Sequence, residues 1–363
     1  MIRAAGGWIG FERFMELALY APGLGYYSRG DQQFGLMPQA DGSGGDFVTA
    51  PEMSPLFGRA LARQVAQALR DSDTREVWEF GAGTGALAAQ LLLTLDELGC
   101  APERYSIVDL SGALRERQAR SLAERAPGLV DRVQWVSELP AAIEGVVVGN
   151  EVLDAMPVAL LHWDGERWFE RGVTVMDAAN AAVGAFAWAD RPTELRPPVE
   201  GPFVPGTVTE LPRIAVGFIR SLAERLTRGA AFFIDYGFPE HEFYHPQRTG
   251  GTLMCHRGHQ ADADPLVDVG LKDLTAHVDF TAMALAAQEA GLPVLGYTSQ
   301  ARFLFNCGLM ADLEVADLRE RAMAMKLVTE HEMGELFKVL ALGAPGSDFE
   351  PIGFAQGDRC HTL

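Results

Sequence analysis

Residues 77–90 read Val-Trp-Glu-Phe-Gly-Ala-Gly-Thr-Gly-Ala-Leu-Ala-Ala-Gln, and they constrain the fold more than any other stretch. Val77 to Phe80 is a short apolar strand interrupted by one acid, Glu79. Gly81, Ala82, Gly83, Thr84 and Gly85 form a tight turn, and Ala86 to Leu93 is a run of strong helix formers. Strand, glycine turn and helix are the opening unit of a nucleotide-binding α/β domain. Glycine lets the main chain turn sharply and lets a ligand lie against bare backbone.

Two cofactors fit this loop. Gly81, Gly83 and Ala86 satisfy the G-x-G-x-x-G/A pattern of a dinucleotide binder, which places a pyrophosphate on a helix N-terminus. Gly81, Gly83 and Gly85 equally satisfy the E-x-G-x-G-x-G form of S-adenosylmethionine enzymes. That cofactor has no phosphate; it offers an amino group, a carboxylate, a sulfonium and a ribose diol. Glu79 suits the cationic methionine end and would be less welcome beside a pyrophosphate. A turn with glycines for packing alone is the bland alternative. Asp109 ends the next apolar strand, 26 residues after Gly83. A carboxylate there can accept both ribose hydroxyls. NAD and S-adenosylmethionine share that ribose, so Asp109 does not separate them. It could instead cap a helix over 111–125, a role Ser111 could also fill.

The rest of the chain supports a doubly wound sheet. Apolar periodicity predicts helices at 8–20 and 55–69, the second with Leu56, Phe57, Ala60, Leu61, Val65 and Leu69 inward. Strands are expected at 77–80, 105–108, 133–136 and 145–149, the last almost wholly apolar, as a buried parallel strand should be. Residues 158–190 change character and read as an antiparallel hairpin around Asp164-Gly165, followed by a proline-rich connection to Pro205. The α/β pattern resumes with helix 211–227, strand 230–235, helix 279–290 and strand 293–298. Residues 28–50 and 237–275 are long excursions, and amphipathic helices are expected over 309–341. Strands separated by helices imply parallel pairing with right-handed crossovers. Ligands in such sheets bind beyond the carboxyl ends of the strands. Those ends are Gly81 to Gly85, Asp109, Asn150-Glu151 and Asp235-Tyr236-Gly237.

Composition narrows the partners. The chain has 363 residues, 48% hydrophobic and 22% charged, with net charge −19. So acidic a chain offers no easy basic face for nucleic acid, and it is compatible with a basic protein or peptide partner. No apolar run approaches the ~20 residues of a membrane span. The start lacks a basic region followed by an apolar stretch, so no signal peptide is expected. Cys100, Cys255, Cys307 and Cys360 are scattered without a C-x-x-C pair, which favours reduced thiols and a cytoplasmic location. Cys255, His256 and His259 match no zinc-ligand frame, so no metal is expected.

The segment Asn150-Glu151-Val152-Leu153-Asp154-Ala155-Met156-Pro157 follows a buried strand. In a methyltransferase this is where the acceptor meets the sulfonium. A guanidinium has a pKa above ~12 and delocalised charge, so its nitrogens are poor nucleophiles. A carboxylate pair can pin that charge on two nitrogens and leave the third in line with the methyl group. Glu151 and Asp154 are candidates for the pair; their bland role is helix capping. His277 could be a general base or a hydrogen-bonded structural histidine, and Asp279 is most simply the N-cap of the next helix.

Taken in order, the motifs resemble one family. They run from Phe14-Met15 through Leu19-Tyr20-Ala21-Pro22 and Gly25-Tyr26-Tyr27 to Gly45-Asp46-Phe47-Val48-Thr49-Ala50-Pro51-Glu52 and Glu79 to Gly85. They continue through Asn150-Glu151 to Pro157, Ile234-Asp235-Tyr236-Gly237, Gly251-Thr252-Leu253, and Asp273 to Phe280. This resembles the MidA-like S-adenosylmethionine-dependent methyltransferases, which include the mitochondrial complex I assembly methyltransferase. The resemblance covers about residues 10 to 340.

It implies an α/β, class I methyltransferase fold, a Rossmann-like doubly wound sheet with an N-terminal helical segment, a β-rich insertion and C-terminal helices. The implied division is 1–70 for the N-terminal segment and cofactor-covering loop, 71–157 with 206–300 for the core, 158–205 for the insertion and 301–363 for the C-terminal helices and tail. It also implies arginine methylation of a protein, possibly an NADH dehydrogenase subunit, and a possible homodimer. Glu79, Gly81, Ala82, Gly83, Gly85, Leu110 and Asn150 would hold the cofactor and Asp109 its ribose, with Thr49, Pro51 and Glu52 folding over the methionine end. Glu151, Asp154 and His277 would serve the acceptor. At Asp109 the family more often has glutamate; the shorter acid does the same job. Two other readings remain: a nicotinamide-dependent oxidoreductase on the same loop, and a non-catalytic methyltransferase-like assembly factor.

Overall fold

The computed structural model describes residues 1–29, 48–109, 112–176, 185–258 and 260–363. Gly45, Asp46, Phe47, Leu110, Ser111 and His259, named above, lie outside them. The central sheet contains β1 (Glu76–Phe80), β2 (Arg104–Val108), β3 (Val133–Val136), β4 (Ile143–Asn150), β5 (Leu226–Phe238), β6 (Val294–Ser299) and β7 (Phe337–Gly343). Their order across the sheet is β6-β7-β5-β4-β1-β2-β3. The pairs β1–β2, β2–β3, β1–β4 and β4–β5 are parallel, whereas β7 runs antiparallel to both β5 and β6.

Alternating side chains explain why both faces are covered. Val77, Val146, Val148, Phe232 and Val339 point to one face, against the helices Pro55–Asp71, Ala86–Glu97 and Gln300–Asn306. Trp78, Val147, Phe233 and Leu340 point to the other, against Arg213–Ala223 and Phe280–Glu289. Each face therefore has its own apolar core, as a doubly wound sheet requires.

Three elements differ from the sequence expectation. Residues 337–343, of which 337–341 fall in the expected helical region, form β7 one strand in from the edge of the sheet, every residue buried. A short apolar run carries no decisive period, and burial on both faces erases the alternation that marks a strand. Residues 8–10 form a strand rather than the first turn of a helix; Phe11–Tyr20 is helical. The expected helix 211–227 is shorter, Arg213–Ala223, because β5 begins at Leu226.

The strand Trp8–Gly10 joins a second, antiparallel sheet. There it pairs with Trp168–Val175, which also pairs with Ala159–Trp163 and Phe186–Pro192; Val208–Leu211 completes the sheet. The expected hairpin is thus the centre of a larger layer. The excursion at 237–275 contains a small three-stranded sheet, Met254–Arg257, Gln260–Asp262 and Asp273–Thr275. Among the described residues no helix is long and apolar enough to cross a membrane.

Candidate active site

Register brings the strand ends together. Phe80 lies opposite Val108 on one side and Gly149 on the other, and Asn150 lies opposite Ile234. Gly81, Asp109, Asn150 and Asp235 therefore emerge along one edge of the sheet. Gly81, Asp109 and Asn150 open onto a cavity of about 1030 Å³, walled also by Tyr20 and Tyr27 from the N-terminal segment and Phe218 from the helix Arg213–Ala223; Asp235 is buried and does not line it. This exceeds the ~300–1,000 Å³ typical of a single small-molecule pocket and leaves room for a cofactor and part of an acceptor.

The glycine loop forms one wall. Gly81, Gly83 and Gly85 have φ of 62°, 53° and 82°, the left-handed region that other residues adopt only with strain. A Cβ at Gly83 would meet no atom within 4 Å and would project toward the cavity. Gly85 does not line the cavity; it is the N-cap of the following helix, packed near Gln118.

Asp109 is held by a side chain that the sequence reading did not single out. Gln118 Nε2 donates to Asp109 Oδ2 at 2.8 Å and to the Gly83 carbonyl at 3.1 Å. Gln118 Oε1 accepts from Trp135 Nε1 at 2.8 Å, which fixes the amide's orientation. One buried amide thus ties the ribose-type carboxylate to the glycine loop. Only a lone glutamine in a highly charged helix hinted at this in the sequence.

Glu79 lies behind the loop and also reaches the cavity. It accepts a hydrogen bond from the Tyr105 hydroxyl at 2.8 Å. Burial pushes its carboxyl up to about 8; the tyrosine bond opposes that rise and the negative Asp109 adds to it. A cation bound nearby would favour the ionised form. The short helical turn Ala50–Met53 covers the same end. Gln90 Nε2 donates to the Pro51 carbonyl at 2.7 Å, and Thr84 of the glycine loop donates to Glu52. Thr49, Pro51 and Glu52 all line the cavity.

The acids at the end of β4 form the other pole. Glu151 has φ 53°, an uncommon conformation for a residue with a Cβ. Its carboxylate accepts from Asn150 Nδ2 at 3.0 Å and from the Ala50 main-chain N–H. Burial and the nearby Asp154 push it up to about 8. Asp154 is raised to about 6 by burial, against a hydrogen bond from Tyr236. Asp235 accepts main-chain N–H bonds from Val152, Leu153 and Asp154 on one oxygen, at 3.1, 2.9 and 3.3 Å. It too is raised, by burial and by Asp154 and Glu151. Three acids packed this closely cannot all ionise cheaply without a cation.

The cavity brings together Thr49, Pro51, Glu52, Glu79, Gly81, Ala82, Gly83, Asp109, Asn150 and Glu151. Asp154 lies just behind Glu151. His277 does not reach the cavity wall. Its ring stands edge-on to Tyr236 and Phe238, with centroids 5.1 Å from each, and burial lowers it to about 4. Asp279 caps its helix through Ala282 N at 3.0 Å, as expected. Cys255 is a fully buried core residue of the small sheet. Among the described residues no group of His, Cys, Asp and Glu has metal-site geometry. The sequence had marked Asp235 as a strand-end acid without giving it a role.

This geometry suits S-adenosylmethionine. A glycine loop on the cavity wall, a carboxylate fixed at the end of β2, and acids that a cation would relieve are compatible with its ribose and its positive methionine end. Comparisons with known proteins agree. A family model described as S-adenosyl-L-methionine-dependent methyltransferase matches residues 60–298. A crystal structure of a Burkholderia thailandensis protein bound to S-adenosyl-homocysteine is 53% identical, with a TM-score of 0.94, covering 100% of this chain and 94% of that one. The mitochondrial protein arginine methyltransferase NDUFAF7 of Danio rerio is 27% identical, over 93% of this chain and 84% of that protein. The Homo sapiens protein of the same name is 27% identical over 93% of this chain and 80% of its own. Of the two cofactors that the glycine loop admits, the family uses S-adenosylmethionine: this chain belongs to the MidA-like S-adenosylmethionine-dependent methyltransferases.

Proposed function

We propose that this methyltransferase acts on arginine in a protein, with a subunit of a respiratory complex I-type enzyme as the partner class. The observation that carries the acceptor assignment is Glu151, a half-buried acid on the cavity wall, with the buried Asp154 three residues on. The names of the mitochondrial relatives support the same acceptor.

Glu79, the glycine loop and Asn150 would hold the methionine part, Asp109 the ribose, and Thr49, Pro51 and Glu52 would cover it. S-adenosylmethionine, when bound, supplies a methyl group on a positive sulfur and departs as the thioether. The protein's own work is on the acceptor. Glu151 pins the guanidinium charge on two nitrogens and directs the third toward the methyl group. Substitution on nitrogen releases one N–H proton, and a Glu151 carboxylate kept ionised by the guanidinium beside it is placed to receive it. Asp235 keeps the Glu151 turn in shape through its three main-chain bonds, and Asp154 sits in the same turn. His277 is proposed as a buttress for Tyr236 rather than a base, because a ring lowered to about 4 is too weak a base to hold a proton near neutral pH and it stands off the cavity.

Mass spectrometry of methylarginine in cells with and without this gene tests the reading. A site that disappears with the gene supports it; identical methylarginine sets contradict it.

A further inference from the structure

The cavity wall beyond the cofactor residues comes largely from the N-terminal segment. Tyr20 and Tyr27 both line it, with rings stacked at a centroid distance of 5.5 Å and an interplanar angle of 21°. Neither hydroxyl is free to act on a ligand. Tyr20 Oη donates to the Ala155 carbonyl at 2.9 Å, and Tyr27 Oη donates to both carboxylate oxygens of Asp273, at 2.9 and 3.0 Å. Ser28 Oγ donates to the Tyr20 carbonyl at 3.0 Å and closes the bend between the two rings.

The pair therefore presents rigid aromatic surface. It stands at the acceptor end: Ala155 lies four residues past Glu151. Asp273 acts electrostatically on Glu151, and among the acids Tyr20 feels Asp273 first, then Asp154, and Asp109 least. An aromatic face beside buried carboxylates recognises a flat, delocalised cation. A guanidinium stacks on such a ring and bonds a carboxylate through its edge, while a compact, strongly hydrated ammonium does so poorly.

We propose that the stacked Tyr20–Tyr27 pair is the specificity wall of the acceptor subsite, selecting a guanidinium over an ammonium by ring stacking while Glu151 binds its edge. The inference rests on the arginine reading and adds the residues that discriminate.

The test uses the full-length protein loaded with S-adenosyl-homocysteine and two probes, N-acetyl-arginine amide and N-acetyl-lysine amide, titrated by NMR or calorimetry. The arginine probe binds about tenfold more tightly than the lysine probe. Tyr20→Leu or Tyr27→Leu reduces that preference about three- to tenfold, the size of a partly desolvated cation–π contact. Tyr20→Phe, which keeps the ring, retains it. S-adenosyl-homocysteine affinity, unchanged in the leucine variants, shows that the fold is intact. Equal weakening of S-adenosyl-homocysteine and the arginine probe would mean that the rings cover the cofactor, and would overturn the proposal. Arginine selectivity that survives both leucine variants overturns it too, yet leaves the arginine reading standing. Failure of the wild-type protein to bind the arginine probe overturns both.

Discussion

The Asp235 carboxylate accepts the Leu153 main-chain N–H at 2.9 Å, and the same oxygen takes the N–H groups of Val152 and Asp154. One side chain at the end of β5 thereby gathers the turn that carries Glu151 at the end of β4. The turn bearing Glu151 is thus gathered by the neighbouring strand, while Asn150 of its own strand bonds the Glu151 carboxylate.

Removing that hold should separate catalysis from cofactor binding. Asp235→Ala leaves three buried N–H groups without an acceptor, which costs about 2–5 kcal/mol and lowers the melting temperature. Asp235→Asn keeps an acceptor oxygen and should fold. The kcat of Asp235→Ala falls at least tenfold and that of Asp235→Asn falls less, while calorimetry finds S-adenosylmethionine affinity of both within about threefold of wild type.

The acid cluster sets a pH profile. Glu151, held near 8, and Asp154, held near 6, are protonated in the empty site at low pH. Catalysis that needs carboxylates therefore rises as pH increases from about 6 to about 8. Methyl-transfer rates measured across that range check the direction, and Glu151→Gln flattens the upper part.

The same shift has a stability consequence with the opposite sign. The folded state binds the Glu151 proton more tightly than the unfolded state does. That contribution is fully present below the ordinary glutamate pKa of about 4.5 and is lost as pH rises through about 8. In the ligand-free protein, the stability of wild type relative to Glu151→Gln therefore falls by up to a few kcal/mol from pH 5 to pH 9. Thermal melts of both proteins across that range test it.

Gln118 ties Asp109, the proposed ribose acceptor, to the glycine loop. Gln118→Leu removes the amide that links Asp109, Gly83 and Trp135. Loss of the bond to a buried carboxylate should weaken S-adenosylmethionine binding about five- to tenfold and cost roughly 1–3 kcal/mol of stability. Asp109→Ala should weaken binding more, because it removes the charged acceptor itself. Calorimetry with S-adenosylmethionine ranks the two.

Most of the sheet was legible because its strands end in chemistry. Glycines after β1, an acid after β2 and an amide-acid pair after β4 mark the carboxyl edge where ligands bind. Strand β7 was not legible: all seven residues are buried, so no exposed face marks a period, and only the neighbouring strands reveal its direction. The strand at Trp8–Gly10 was hidden for another reason, since its partner is more than 150 residues away, at Gly172–Thr174. In the site, Glu151 and Asp109 were visible as isolated acids after apolar runs. Gln118 and Asp235 act through three-dimensional hydrogen bonds that no spacing encodes. His277 was attractive as a residue type, and only its position between two aromatic rings removes it from the cavity wall.

The most direct test is transfer of labelled methyl groups from S-adenosylmethionine to proteins extracted from cells lacking the gene, followed by hydrolysis and amino-acid analysis. Wild-type protein should place the label in methylarginine, and Glu151→Gln should place at least tenfold less. Label in another residue, or undiminished labelling by Glu151→Gln, would contradict the account.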